Sequence, residues 1–327
     1  MNPFISRVSV IVCAYTELRW DDMLYAVDSL RAQTHPASEI ILVIDHNSTL
    51  HERAQVQFPD LTVVTNTEKR GLSGARNSGI AVAHGDIIAF MDEDAVADPE
   101  WLSHLDAGFL DPKVLGVGGA IIPWWIAKQP AWFPEEFNWV VGCTYRGMPE
   151  IASPVRNLIG CNMAFRSEVF SQAGGFRSEI GRVGTFPAGC EETELCIRAS
   201  QILPGRLFLF EPRAQVHHRV PAARTNLRYF TDRCYAEGLS KALVSRLVGA
   251  QDGLSSERSY TFKTLPRGAL RGLKDAFVRG KWSGFGRAVA IILGLGFTTA
   301  GYLAGRLMLL RNKNRPIAAQ NLSLDQT

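Results

Sequence analysis

The strongest constraint on the fold lies in the first 125 residues, where short β-branched runs alternate with amphipathic stretches. Strands are expected at VSVIVCAY (8–15), EIILVID (39–45), LTVVTN (61–66), DIIAFMD (86–92) and VLGVGGAII (114–122). Helical patterns separate them at 21–33, 51–58, 73–84 and 99–109. Strands that are apolar on both sides need cover on both faces, which predicts an α/β fold with a mostly parallel central sheet sandwiched by helices. In such sheets ligands bind beyond the carboxyl ends of the strands. Polar groups collect at those ends: Tyr15 and Glu17, then Asp45 and Asn47, then Asp92, Glu93 and Asp94.

Residues 123 to about 160 lose this rhythm and become rich in Trp and Pro, which predicts a long irregular excursion. Its aromatic residues Trp124, Trp125, Trp132, Phe133 and Trp139 suit sugar stacking, a cover over an acceptor, or plain core packing. A strand running into a helix is expected at 157–170, a helix from about Glu191, a strand at 205–212 and a long helix at 226–249. The division expected is a catalytic domain over 1–250, with halves 1–122 and 123–250, followed by a basic helical tail at 251–327.

The net charge of +3 conceals an asymmetry. Lys263 to Arg315 carries a local net charge of +10, which leaves about −7 for the remainder. A basic tail on an acidic body suits an anionic membrane surface better than a nucleic-acid groove. Residues 288–305 contain no charge, and this length is the lower limit for a membrane span. They read either as a membrane-embedded or interfacial segment or as a buried helix, and Gly301 and Gly305 allow close helix packing. The six scattered cysteines include no CxxC pair, so reduced, partly buried thiols are expected. The N-terminal apolar run is too short for a signal peptide, which places the chemistry in the cytosol.

Four clusters carry candidate chemistry. Asp92 and Asp94 would share one side of an extended strand, with Glu93 pointing elsewhere. Two such carboxylates suit Mg2+ or Mn2+, and the alternative is a solvated turn. Asp98 before Pro99 supplies a helix cap, so the earlier acids are not needed for that role. Asp45 either reads a base or ribose or closes an Asx-turn. The stretch TEKRGLSGARNSGI (67–80) brings Arg76 and Asn77 to a glycine-containing helix start, where a diphosphate could sit. Glu191, Glu192 and Glu194 open a helix, either complementing its dipole or supplying a general base. The pair His217 and His218 is either structural or one late strand-end ligand.

In order and spacing these motifs resemble the family 2 glycosyltransferases of GT-A fold over roughly residues 7–240. The resemblance is carried by VSVIVCAY, IDHNST, the 67–80 loop, FMDEDAVADPEWL, IGCNMAFRSEVF and CEETELCIR. It implies an inverting transfer of sugar from a UDP- or GDP-sugar to a sugar or lipid-linked acceptor at the cytoplasmic face of the membrane. It assigns Ala14, Tyr15, Glu17, Asp45, Arg76, Asn77, Asp92 and Glu93 to the donor stretch. Asp92, Asp94 and His218 would hold the metal, and Glu192, or its neighbour Glu191, would be the base. Glu192 departs from the Asp usual there, and His46 stands where many members carry a second acid.

Competing enzyme classes fit less well. VCAYTELRW has no glycine, which excludes a Rossmann dehydrogenase fingerprint. An aspartyl phosphatase would want its acids after the first strand. A sugar nucleotidyltransferase would carry a Gly/Arg-rich loop at that point, and none is present. That transferase class and a non-catalytic, membrane-tethered nucleotide-sugar binder are the alternatives.

Overall fold

The computed structural model describes residues 6–181, 189–253, 257 and 259–311. Nine strands form one sheet in the order β3-β2-β1-β4-β8-β6-β9-β5, with β7 paired to β9. They are β1 (Val8–Ala14), β2 (Glu39–Ile44), β3 (Thr62–Thr65), β4 (Ile87–Asp92), β5 (Ala95–Ala97), β6 (Val114–Trp125), β7 (Ser153–Val155), β8 (Asn162–Arg166) and β9 (Leu207–Val220). β1, β2, β3, β4, β6 and β9 run one way, while β5, β7 and β8 run against them. The mostly parallel α/β sheet is present, with antiparallel strands confined to its second half.

The alternation within each strand explains the layers. Val8, Val10 and Val12 of β1 face one core with α1 (Trp20–Arg31), whereas Ile11 and Cys13 face the other. That second core also receives Ala75 of α3 (Leu72–Val82) and Leu195, Cys196 and Ala199 of α6 (Glu191–Ile202). Both faces of β1 are therefore dry, as its continuous apolar run requires. The remaining helices of the body are α2 (Ser48–Gln57), α4 (Trp101–Ala107), α5 (Ser167–Ala173) and α7 (Leu227–Val248).

The excursion at 123–160 is mostly irregular, as expected, although β6 continues through Trp125. A 3-10 turn spans Glu135–Val141. Phe133 and Phe137 are buried and stack against Phe230 of α7 at 5.6 and 5.3 Å. Core packing thus claims most of this aromatic run, although Trp124 remains exposed. All six cysteines are unpaired and buried.

The tail forms the helices Leu265–Phe277 and Ser283–Arg311; the second packs along α7, and the first packs on the second and reaches the body through the Arg271–Glu136 ion pair. Gly301 lies against the Tyr235 backbone, and Gly238 of α7 lies against Thr298 and Gly301. Gly305 meets Ala242 and Leu239. The small-residue spacing expected to pack helices in lipid therefore finds its partner within the chain. The long helix is nonetheless long and apolar enough to cross a membrane, and only 33% of its most apolar window is buried. Its free face carries Ile292, Phe297, Leu303 and Leu307.

Candidate active site

Strand geometry alone does not unite the acids. β4 ends at Asp92, Glu93 and Asp94 form a turn, and β5 pairs with β9 so that Ala95 faces His218. This corrects the expectation that Asp92 and Asp94 share one side of an extended strand: a reversal, not alternation, brings them to His218. Asp94 Oδ1 lies 3.2 Å from His218 Nε2, and its Oδ2 is ion-paired with Arg19 Nη1 at 3.0 Å. Glu93 is turned away and pairs with the same Arg19 nitrogen at 2.6 Å. That placement corrects its assignment to the donor stretch.

Burial disfavours the Asp94 carboxylate, yet His218, Arg19 and Arg224 outweigh it and hold the acid well below the usual range. For Glu93, burial dominates and pushes the carboxyl up to about 7. Burial would lower His218, but Asp94 and Cys143 overrule it and push the imidazole up to about 10.

Among the described residues, donor atoms of Asp92, Cys161 and His218 lie within 4.8 Å of one another, and Asp94 touches the same imidazole. Two carboxylates and an imidazole fit Mn2+ or Mg2+. Cys161 adds a soft donor that sequence reading missed. It stands directly before Asn162, whose side chain amide is consumed by Ala120, Ala214 and Trp101, so its packing role masked its neighbour.

The three acids of α6 separate into distinct roles. Glu194 is fully buried and pinned by Arg177 and Arg198 at 2.7 and 2.8 Å. Glu191 is buried and accepts from Arg76 Nη1 at 2.8 Å. Glu192 is half-buried and lines the cavity. Burial, followed by repulsion from Glu191, pushes its carboxyl up to about 8. Cys190, which precedes this helix, sits in the left-handed region at φ 74°. A non-glycine residue there costs about 1–2 kcal/mol, so the surrounding packing must hold this turn in place.

The expected donor residues divide as well. Ala14 ends β1 and is buried, while Tyr15 and Glu17 are exposed beyond it. Asp45 accepts from Asn66 Nδ2 at 2.6 Å and from the Gly71 amide at 2.9 Å, pinning the loop before α3. Arg76, expected near the diphosphate, lines the cavity beside Asp92. Its guanidinium is buried under the cavity, between Glu191 and Asp92 (3.5 Å), and stacks on Phe176 at 5.3 Å. It links the acids at the start of α6 to the end of β4. Asn77 sits elsewhere than in a phosphate loop: its amide exchanges two hydrogen bonds with the Phe176 backbone and ties that segment to α3. Asp98 is corrected too, since α4 begins at Trp101 and the Asp98 carboxylate turns to His217 at 3.0 Å.

A cavity of about 370 Å³ joins these groups. Asp92, His218 and Cys161 line one part, and Glu191 and Glu192 another. Its wall continues onto α7 through Arg233, Glu237 and Lys241, and onto the tail through Tyr260, Leu295 and Tyr302. The α7 residues escaped sequence reading, although their i, i+4, i+8 spacing marks a charged stripe on one helix face.

The Glycosyl transferase family 2 profile matches residues 9–174. A glucosyl-dolichyl phosphate glucuronosyltransferase of Haloferax volcanii is 36% identical over 245 residues, covering 74% of this chain and 78% of that protein. The succinoglycan biosynthesis protein ExoM of Rhizobium meliloti is 24% identical, covering 76% of this chain and 82% of its own. Among solved structures, a mannosyltransferase of Pyrobaculum calidifontis in complex with GDP-Man and Mn2+ has the same fold. Its TM-score is 0.60 at 19% identity, over 96% of this chain and 89% of that one.

Proposed function

Because the chain belongs to glycosyl transferase family 2 and is a nucleotide-sugar-dependent glycosyltransferase, we propose that it inverts the transferred sugar with Glu192 as general base. The observation that carries this reading is the division of labour on α6. Glu191 and Glu194 are held by arginines, whereas Glu192 lines the cavity with no ion pair among the described residues and a carboxyl tuned towards neutral pH. Glu192 takes the proton from an acceptor hydroxyl, and that oxygen attacks the anomeric carbon from the face opposite the departing nucleotide.

Asp92, Asp94 and His218 would hold the divalent cation, with Cys161 beside it. Bound there, a cation offsets the negative charge on the leaving diphosphate. Asp94 orients His218, and Arg19 fixes Asp94 in turn. Arg76 holds the Glu191 carboxylate in an ion pair. The base of a UDP- or GDP-sugar would lie over the ends of β1 and β2, near Tyr15, Glu17 and the loop that Asp45 pins.

The acceptor we propose is lipid-linked, in the synthesis of a cell-envelope polysaccharide or glycolipid, at the cytoplasmic face of the membrane. Support comes from the relative that acts on a glucosyl-dolichyl phosphate and from the apolar outer face of the long tail helix. In this reading residues 1–250 are the catalytic domain, and 251–327 bring it to the bilayer.

The deciding experiment is Glu192→Gln. Nucleotide-sugar binding in the presence of Mn2+ should survive, measured by calorimetry, while transfer falls by about 100-fold or more. Transfer that persists in this variant moves the base elsewhere. Nucleotidyl exchange in place of transfer overturns the reaction class.

A further inference from the structure

The part of the cavity that the chemistry above does not use is a chain of alternating charges. Arg233 Nη2 lies 3.5 Å from Glu237, and Lys241 Nζ lies 3.3 Å from the same carboxylate. Lys241 also donates to Glu257 Oε1 at 2.6 Å. Arg156 grips Glu257 with both terminal nitrogens, at 2.8 and 3.0 Å. All five side chains line the cavity, and together they hold three cations against two carboxylates. Buried ion pairs of this kind add little stability over apolar groups of similar size, so a purely structural role explains the chain poorly.

Its placement suggests a ligand. Gly189, beside the turn that carries Glu191 and Glu192, lies next to Arg233 and donates its amide to Ser240 of α7. The stripe therefore begins beside the base. From Arg233 to Lys241 is eight residues of helix, about 12 Å. The same cavity is also walled by apolar side chains of the tail, Tyr260, Leu265, Leu295 and Tyr302. Base, cations and apolar wall meet in one cavity, the three surfaces that the sugar, anion and hydrocarbon of a sugar carried on a lipid phosphate require. The two-nitrogen grip of Arg156 on a carboxylate is also the geometry with which arginine takes a phosphate.

We propose that Arg156 and Lys241 form a subsite for the phosphate of a lipid-linked acceptor, and that the Glu257 carboxylate occupies it until the phosphate displaces it. This deepens the acceptor reading above and rests on it. Lipid phosphate and free phosphate share the recognition chemistry, and the hydrocarbon wall assigns the subsite to the lipid.

The test is binding of decyl phosphate, decanol and inorganic phosphate to the full-length protein in detergent, by calorimetry without metal or nucleotide. Decyl phosphate should bind at least tenfold tighter than either of the others. The variant Arg156→Gln/Lys241→Met should lose tenfold or more, and Glu257→Gln should gain several-fold because the competing charge is gone. Circular dichroism and retained binding of UDP or GDP with Mn2+ establish that each variant is folded. Equal binding across the variants, or weaker binding in Glu257→Gln, overturns the subsite. Inorganic phosphate that binds as tightly as decyl phosphate overturns the lipid assignment. Because neither metal nor donor is present, these outcomes are independent of whether Glu192 is the base.

Discussion

Glu192 and Asp94 show how burial sorts acids that look alike in sequence. The Glu192 carboxyl is pushed up to about 8, so its ionised fraction grows through neutral pH. Transfer should therefore rise with pH through about 8, read as kcat/KM against pH, and the residual rate of Glu192→Gln should lack that limb. The sign for stability is opposite. A raised carboxyl pKa stabilises the fold fully below its ordinary value near 4.5, and that contribution is lost as pH rises through about 8. Asp94 behaves the other way, since its pKa is depressed and its contribution is lost as pH falls well below the ordinary carboxylate range. Asp94→Asn should abolish transfer and also lower stability by about 3–5 kcal/mol in denaturant melts, because Arg19 and His218 lose a buried counter-charge. Unchanged stability would mean that Asp94 holds nothing in place.

At the scale of elements, sequence patterning located most of the strands and helices, and misjudged the joints. The run FMDED reads as one strand, but the turn at Glu93–Asp94 sends the chain to pair with β9. Asp98 looks like a cap before Pro99, but a histidine on a strand far along the chain claims it. Such choices are set by partners distant in sequence, which no local pattern contains. The same limit applies to Gly301 and Gly305, whose spacing was legible while their partner on α7 was not. A side chain at Gly301 would collide with the Tyr235 carbonyl. Gly301→Leu should therefore lower the melting temperature and raise protease sensitivity of the tail, by an overpacking cost of about 1–3 kcal/mol. Gly296, which has open space around it, is the control: Gly296→Leu should leave both unchanged.

For the whole molecule, the tail packs on the body and closes one wall of the cavity, so it is more than an anchor. Removing residues 251–327 takes Tyr260, Leu295 and Tyr302 from that wall and uncovers the apolar side of α7. The truncated protein should aggregate and lose acceptor use, measured by light scattering and by transfer. A monodisperse, fully active body would refute the packed arrangement. The full chain should sediment with vesicles containing anionic lipid, less so as salt rises, because Arg267, Arg271 and Lys274 are all basic on one tail helix.

The sequence by itself determined the layered α/β sheet, the polar strand ends and the cluster of candidate acids. Periodicity and residue chemistry are local properties, and they survive without coordinates. Tertiary structure decided which acid is held by Arg76 and which lines the cavity without such a pair. It also tied Asn77 to the Phe176 backbone and Glu93 to Arg19, placed Cys161 beside His218, and set the α7 charges along the cavity that Glu192 lines. Each of these depends on which distant side chains meet in a low-dielectric interior, where an ion pair or its absence sets a group's protonation and its freedom to react.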